Sequence, residues 1–203
     1  YLHFFTGLSP LRYGEQGWIW GAPDLGRSFV SDRPVTEAIF QSLPATILLA
    51  ILAMTLAMIL GLAGGLICGS VAGSFADRLF LTIASLGMSA PSFVMAIVVS
   101  WLFGSVWHAW TGLPMTGGLW EVHPFDGPRL AFRHAILPAV TLGIRPLSVV
   151  FQLTRNSVTE ILGSSYVRTA KSKGLSKRRI MTHHVLRNAL NPVLTAASGW
   201  FAS

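Results

Sequence analysis

The chain has 203 residues, of which 52% are hydrophobic and only 11% charged. A soluble domain of ordinary composition carries about 25% charged residues, so this chain cannot cover a globular surface with polar groups, and lipid is the expected solvent for much of it. Eight Lys and Arg residues between Arg155 and Arg187 face one acid, Glu160, and supply the whole formal charge of +7. A basic run confined between two apolar segments argues against a nucleic-acid surface.

Residues 1–42 hold three Arg and four acids among Pro10, Pro23 and Pro34, and read as loop and short-helix material outside a membrane. Phe4, Phe5, Trp18, Trp20 and Phe29 suit a folded or interfacial segment. The opening YLHFFTGL is too short for a signal peptide and lacks its basic flank, and the chain stops inside the apolar run SGWFAS. Both ends read as cut.

From Ala38 to Ala76 there are 39 positions without a charge. About 20 apolar residues cross the hydrocarbon core, so a first span is expected over about residues 43–71. Gly61, Gly65, Gly69 and Gly73 recur every fourth position and fall near one face, where small residues let helices approach closely in lipid. Cys68 lies among them and reads as a small packing residue. A short turn with Asp77 and Arg78 leads to a second span over about 79–106, which Pro91 is expected to kink. Residues 107–134 form a second polar-aromatic loop. Its Glu121, His123, Asp126 and His134 lack the tight spacing of metal ligands and read as solvated.

A third span is expected over about 135–154, interrupted by Arg145 and Pro146. An arginine at mid-membrane costs at least about 2.5–3.5 kcal/mol on insertion scales. Arg145 is therefore expected to face a bundle interior or a water-filled cavity, lining a solute pathway or paired structurally. The basic stretch 155–188 follows, and 189–203 is the first part of a fourth span. Positive charge collects on the cytoplasmic side. That makes the basic loop cytoplasmic, 107–134 external, 74–79 cytoplasmic and 1–42 external, which implies a preceding membrane helix. The expected organisation is an external segment 1–35 followed by one all-α transmembrane domain, 36–203.

Within the basic stretch, Ser164 or Ser165 can cap a helix running through Lys173, Gly174 suits the left-handed position that ends it, and Ser176 can cap the next helix, expected to reach about Leu190 before Pro192. Tyr166, Val167, Ala170 and Gly174 fall on one side of the first helix, which reads as a small docking face. The second helix scatters its apolar and basic residues around its circumference. A helix lying on lipid would segregate them, so this one is expected to be wrapped by protein.

These residues carry a resemblance. Aligned on Gly174, the stretch resembles the cytoplasmic EAA loop of ATP-binding-cassette importer permeases, although only Ala170, Gly174 and Leu186 fit that general pattern. It is far more similar to the peptide/nickel branch, through YVRTA at Tyr166–Ala170, KGLS at Lys173–Ser176, and His184, Leu186–Leu190 and Pro192. DLGRSF, RPV, LPAT, the Asp77-Arg78 pair, APSF and LPA extend the similarity in order from Asp24 onward. It favours the first of two paired permeases.

The resemblance implies a type I importer transmembrane fold, truncated at both ends. It implies a permease subunit that forms the pathway for peptides or similar small solutes. Its partners would be cytoplasmic ATPase subunits, a second permease subunit, an extracytoplasmic solute-binding protein and inner-membrane lipid. Tyr166, Val167, Arg168, Thr169, Ala170, Lys171, Lys173 and Gly174 would couple to the ATPase. Arg145 is not a general feature of that family. The chain has no G-x-x-x-x-G-K-[ST] loop, so ATP hydrolysis is expected from a separate subunit, and no cofactor is expected. Two rivals remain: a channel or secondary transporter independent of ATP, and a membrane enzyme, for which no H-E-x-x-H, G-x-S-x-G or intramembrane acid pair is present.

Overall fold

The computed structural model describes residues 11–14, 17–20, 25–117, 120–123 and 127–202, the backbone alone at 11–14, 17–20, 120–123, 127–130, 177 and 200–202. Phe4, Phe5 and Asp126, weighed above, lie outside the described residues. The chain divides into two compact units, Tyr1–Leu48 and Leu49–Ser203, with the division inside its first helix.

In the first unit, β1 (Leu11–Gly14) pairs antiparallel with β2 (Gly17–Trp20), Leu11 opposite Trp20. The segment expected to be loop and short helix is thus partly a hairpin. Arg27 bridges to Pro34, and α1 (Val35–Ser70) starts directly after that proline. It begins before the apolar run because backbone hydrogen bonds, not membrane thickness, set where a helix starts.

In the second unit α1 continues to Ser70. Gly73 then adopts φ +85° and Ser74 caps α2 (Phe75–Ser89), its Oγ accepting the Asp77 amide at 3.2 Å. Asp77 and Arg78 are therefore helical rather than in a turn. The second expected span is not one rod. Proline disfavours helical geometry in the residue before it, and Ala90 has ψ 137°. The chain restarts as α3 (Ser92–Trp101), prolonged by a π-helical stretch Leu102–Val106, at a bend of 115° from α2. At 1.5 Å per residue, neither half alone covers a hydrocarbon core of about 30 Å.

The expected loop at 107–134 contains a short α4 (His108–Thr111) closed by Gly112 at φ 60°, and a hairpin of β3 (Trp120–His123) and β4 (Gly127–Leu130). Next comes α5 (Phe132–Gly163), which passes through Pro138 and Pro146 and runs on past the expected end of the third span. Among the described residues, α1 and α5 are each long and apolar enough to cross a membrane, and the bent pair passes that test together.

The short α6 (Ser165–Ser172) follows Ser164. Beyond it α7 (Lys177–Arg179), a π-helical stretch Ile180–Leu186 and α8 (Arg187–Ala202) form one uninterrupted helical run. Pro192 lies inside α8, so the expected stop near Leu190 is corrected. A proline removes one backbone donor and disturbs the preceding turn; it does not end a helix whose apolar face is packed, and Ala189, Val193 and Ala197 are buried.

The core sits around α5. Val158 packs with Val167, Ala170, Ile180, Val185 and Ala189 at one end, and Phe151 with Cys68 and Ala84 nearer the middle. Cys68 is a buried packing residue.

Candidate functional site

The glycine face of α1 meets α5. A Cβ placed on Gly61 would lie 2.7 Å from Val150 Cγ1, one on Gly65 2.5 Å from Thr154 Cβ, and one on Gly69 2.7 Å from Val158 Cβ. Three glycines four apart face three side chains four apart, so the backbones touch without intervening side chains. Gly73 is the exception. It lies beyond the helix at positive φ, and an added Cβ would meet nothing within 4 Å. Its role is the turn, not packing, and the expectation of a fourth packing glycine is corrected.

Below this seam lies an ion pair that the sequence reading did not anticipate. Arg155 on α5 donates through Nε to Asp77 Oδ1 at 3.0 Å and through Nη2 to Oδ2 at 2.7 Å. Asp77 Oδ2 also accepts the Gly73 amide at 2.8 Å, and Arg78 Nη2 donates to the Gly73 carbonyl at 3.1 Å. Asp77 is 1% exposed and the Arg155 side chain 19%. The Arg155 hydrogen bonds, then the Gly73 amide, hold the Asp77 carboxyl below its ordinary value, and the same contact raises Arg155. A signal was present in the sequence: Asp77 is the lone acid between Glu37 and Glu121, on the same expected membrane face as Arg155.

The basic stretch is built from this end of α5. Ser164 breaks the helix at ψ 154°, donating its Oγ to the Ile161 carbonyl at 2.5 Å. In α6, Val167 and Ala170 lie three apart on one face and are buried at 0% and 8% exposure. They pack against Val158, Ile180 and Val185, with Leu175 beside them. These two residues therefore serve the chain's own core, and the expectation that they contact a partner is corrected. The exposed face is Tyr166, Arg168, Thr169, Lys171 and Lys173. Tyr166 is held from behind: its hydroxyl accepts Asn188 Nδ2 at 3.4 Å and its ring tilts against His184 at 6.5 Å.

Gly174 ends α6 at φ +77°. Its amide bonds to the Lys171 carbonyl at 2.9 Å and the Leu175 amide to the Ala170 carbonyl at 3.2 Å, the paired bonds of a Schellman motif, with Leu175 tucked into the core. Ser176 Oγ then accepts the Arg179 amide at 3.4 Å and starts the next helix. Arg168, Lys171, Lys173, Arg178, Arg179 and Arg187 are all exposed, and none forms an ion pair among the described residues. Six cations are thus displayed by α6 and the helical run that follows it.

Arg145 is exposed on α5, one turn from Thr141 and next to buried Pro146. Cavities beside the apolar part of α5 include one of about 420 Å³ near Ser92, Ser100, Met115, His134 and Thr141, and one of about 570 Å³ at the α2–α3 bend. Arg145 lines neither. Among the described residues no group of His, Cys, Asp or Glu could hold a metal.

Residues 61–199 match the family described as binding-protein-dependent transport system inner membrane component. The chain is 38% identical over 189 residues to a Brucella abortus (strain 2308) protein named as a peptide transport system permease, covering 92% of this chain and 58% of that one. It is 34% identical to the putrescine export system permease protein SapB of Escherichia coli K12, covering 95% and 68%. It is 38% identical to the di/tripeptide transport system permease protein DppB of Pseudomonas aeruginosa (strain UCBPP-PA14), covering 85% and 55%. The chain belongs to this family of transport-system inner membrane components. It spans little more than half the length of the Brucella relative.

Proposed function

We propose that the chain forms part of a multi-pass permease subunit of an ATP-driven importer for peptides or similar small solutes. Its basic loop, 155–188, faces the cytoplasm and couples to an ATPase. Arg145 and the cavities beside α5 belong to the half of the protein that meets the solute. A second permease subunit and an extracytoplasmic solute-binding protein complete the assembly, and the names of the relatives above agree with a peptide-like or cationic solute.

The observation that carries this reading is the mounting of α6. A short helix with a cationic face is fixed by Val167 and Ala170 to the end of a long membrane-length helix and closed by the Gly174 turn. Such a helix can seat in an acidic groove and act on α5 as a lever, because exposed charges give orientation and encounter while the buried face transmits force. An ATP-independent channel has no need of it.

The test uses the full-length subunit with its ATPase. Arg168→Glu, Lys171→Glu and Lys173→Glu together are expected to abolish co-purification while membrane insertion is retained. Wild-type binding by the triple variant, or solute transport that persists without any ATPase, overturns the coupling role. Solute accumulating outside rather than inside reverses the direction of transport.

A further inference from the structure

We infer that Asp77 and Arg155 are positioning residues, a clasp that makes α2 move as one body with α5 and α6, so that displacement of the basic helix is delivered to the bend at Ala90–Pro91. The inference rests on the coupling role proposed above and adds the route by which coupling reaches the membrane half.

The clasp lies between two further contacts of α5. On one side, the core around Val158 unites α5 with Val167 and Ala170 of α6. On the other, α2 is held to α5 a second time, where a Cβ on Gly87 would come within 2.8 Å of Ser148 Oγ. Between them Arg155 binds both carboxylate oxygens of Asp77, and Asp77 accepts the Gly73 amide in the turn between α1 and α2. A two-pronged arginine–carboxylate contact fixes direction as well as distance, which an apolar contact does not. Two helices and the turn that follows α1 thus meet at one buried carboxylate. Beyond Gly87, α2 reaches the 115° break, and the 570 Å³ cavity there is lined by Ile83, Gly87, Ala90 and Met95 together with Ile144 and Ser148 of α5. With α2 clasped to α5, a displacement reaches this cavity at the break where Pro91 has removed the helical connection to α3, so the angle between α2 and α3 is what the inference has change there.

Two measurements on the full-length transporter reconstituted with its partners test the clasp. First, spin labels at positions 82 and 172, both exposed, report the separation of α2 and the end of α6. The wild-type separation is expected to be the same without nucleotide and with ATP bound. A change larger than about one helical turn, ~5 Å, overturns the inference. Second, Asp77→Asn with Arg155→Met keeps an acceptor for the Gly73 amide and fills the space of the arginine stem, but removes the two-pronged contact. Solute carried per ATP hydrolysed is expected to fall about tenfold, with insertion and ATPase binding retained, and Arg155→Lys is expected to restore part of the loss. An unchanged ratio overturns the clasp. If that ratio is unchanged while the triple charge reversal abolishes ATPase binding, the clasp alone fails. If the triple reversal leaves binding intact, the coupling role itself fails.

Discussion

A methyl group on Gly65 would sit 2.5 Å from Thr154 Cβ and 2.8 Å from the Phe151 carbonyl oxygen, with no flexible chain end to yield. Gly65→Ala is expected to push α1 off α5 and to cost about 1–3 kcal/mol, the usual range for overpacking a close-packed interior. Gly163→Ala is the control. That glycine is exposed on the last turn of α5, and an added Cβ meets nothing within 4 Å, so the change is expected to be neutral or stabilising by no more than about 1 kcal/mol. Thermal unfolding in detergent distinguishes them, and equal melting temperatures for the two variants would refute the seam. The four-residue glycine spacing was legible in the sequence. That Gly73 departs from it was not, because spacing alone does not say where a helix ends.

The α2–α5 connection owes its pH dependence to one carboxyl. Asp77 has its proton affinity lowered in the folded state, by Arg155 first and the Gly73 amide second. A lowered folded value means that the stabilisation is complete above the ordinary carboxylate value near about 3.9. It is lost as the pH falls through the lower folded value. Stability is therefore expected to be flat in this respect from pH 7 to about pH 5 and to drop in more acid solution. Asp77→Asn, which leaves the partly buried Arg155 beside a neutral group, is expected to lose about 3 kcal/mol at pH 7 and to flatten the acid limb. Melting curves at pH 7 and pH 3 for both proteins check this; parallel acid limbs would show that Asp77 does not titrate with unfolding. At the same scale, α6 shows how far local rules reach. Ser176 capping and the left-handed Gly174 follow from residue chemistry and were readable. Which face of an eight-residue helix turns inward depends on α5 and the π-helical stretch Ile180–Leu186, which supply the opposing apolar surface.

Across the whole molecule, the separation of charge from apolar length sets the arrangement relative to the bilayer. The rest of the chain is formally neutral, so the basic stretch dominates any orientation by positive charge. The topology proposed above puts α4 at the membrane face opposite the basic loop, and Trp110 within it is 94% exposed, as suits an interfacial ring. In cells, Ser172→Cys is expected to react with a membrane-impermeant thiol reagent only from the cytoplasmic side, and Trp110→Cys only from the outside. Labelling of both from one side would overturn the topology.

The sequence by itself determined the solvent, the apolar runs, the polarity of the loops, the glycine face and the punctuation around Gly174, since each rests on residue type and short-range spacing. Only the tertiary structure decided how far the second apolar run bends at Pro91, that a helix passes through Pro192, that Val167 and Ala170 turn inward, and that Asp77 meets Arg155. Those outcomes join residues tens of positions apart. Each turns on which surfaces are available to bury apolar area and to satisfy a carboxylate, and a linear pattern does not contain that information.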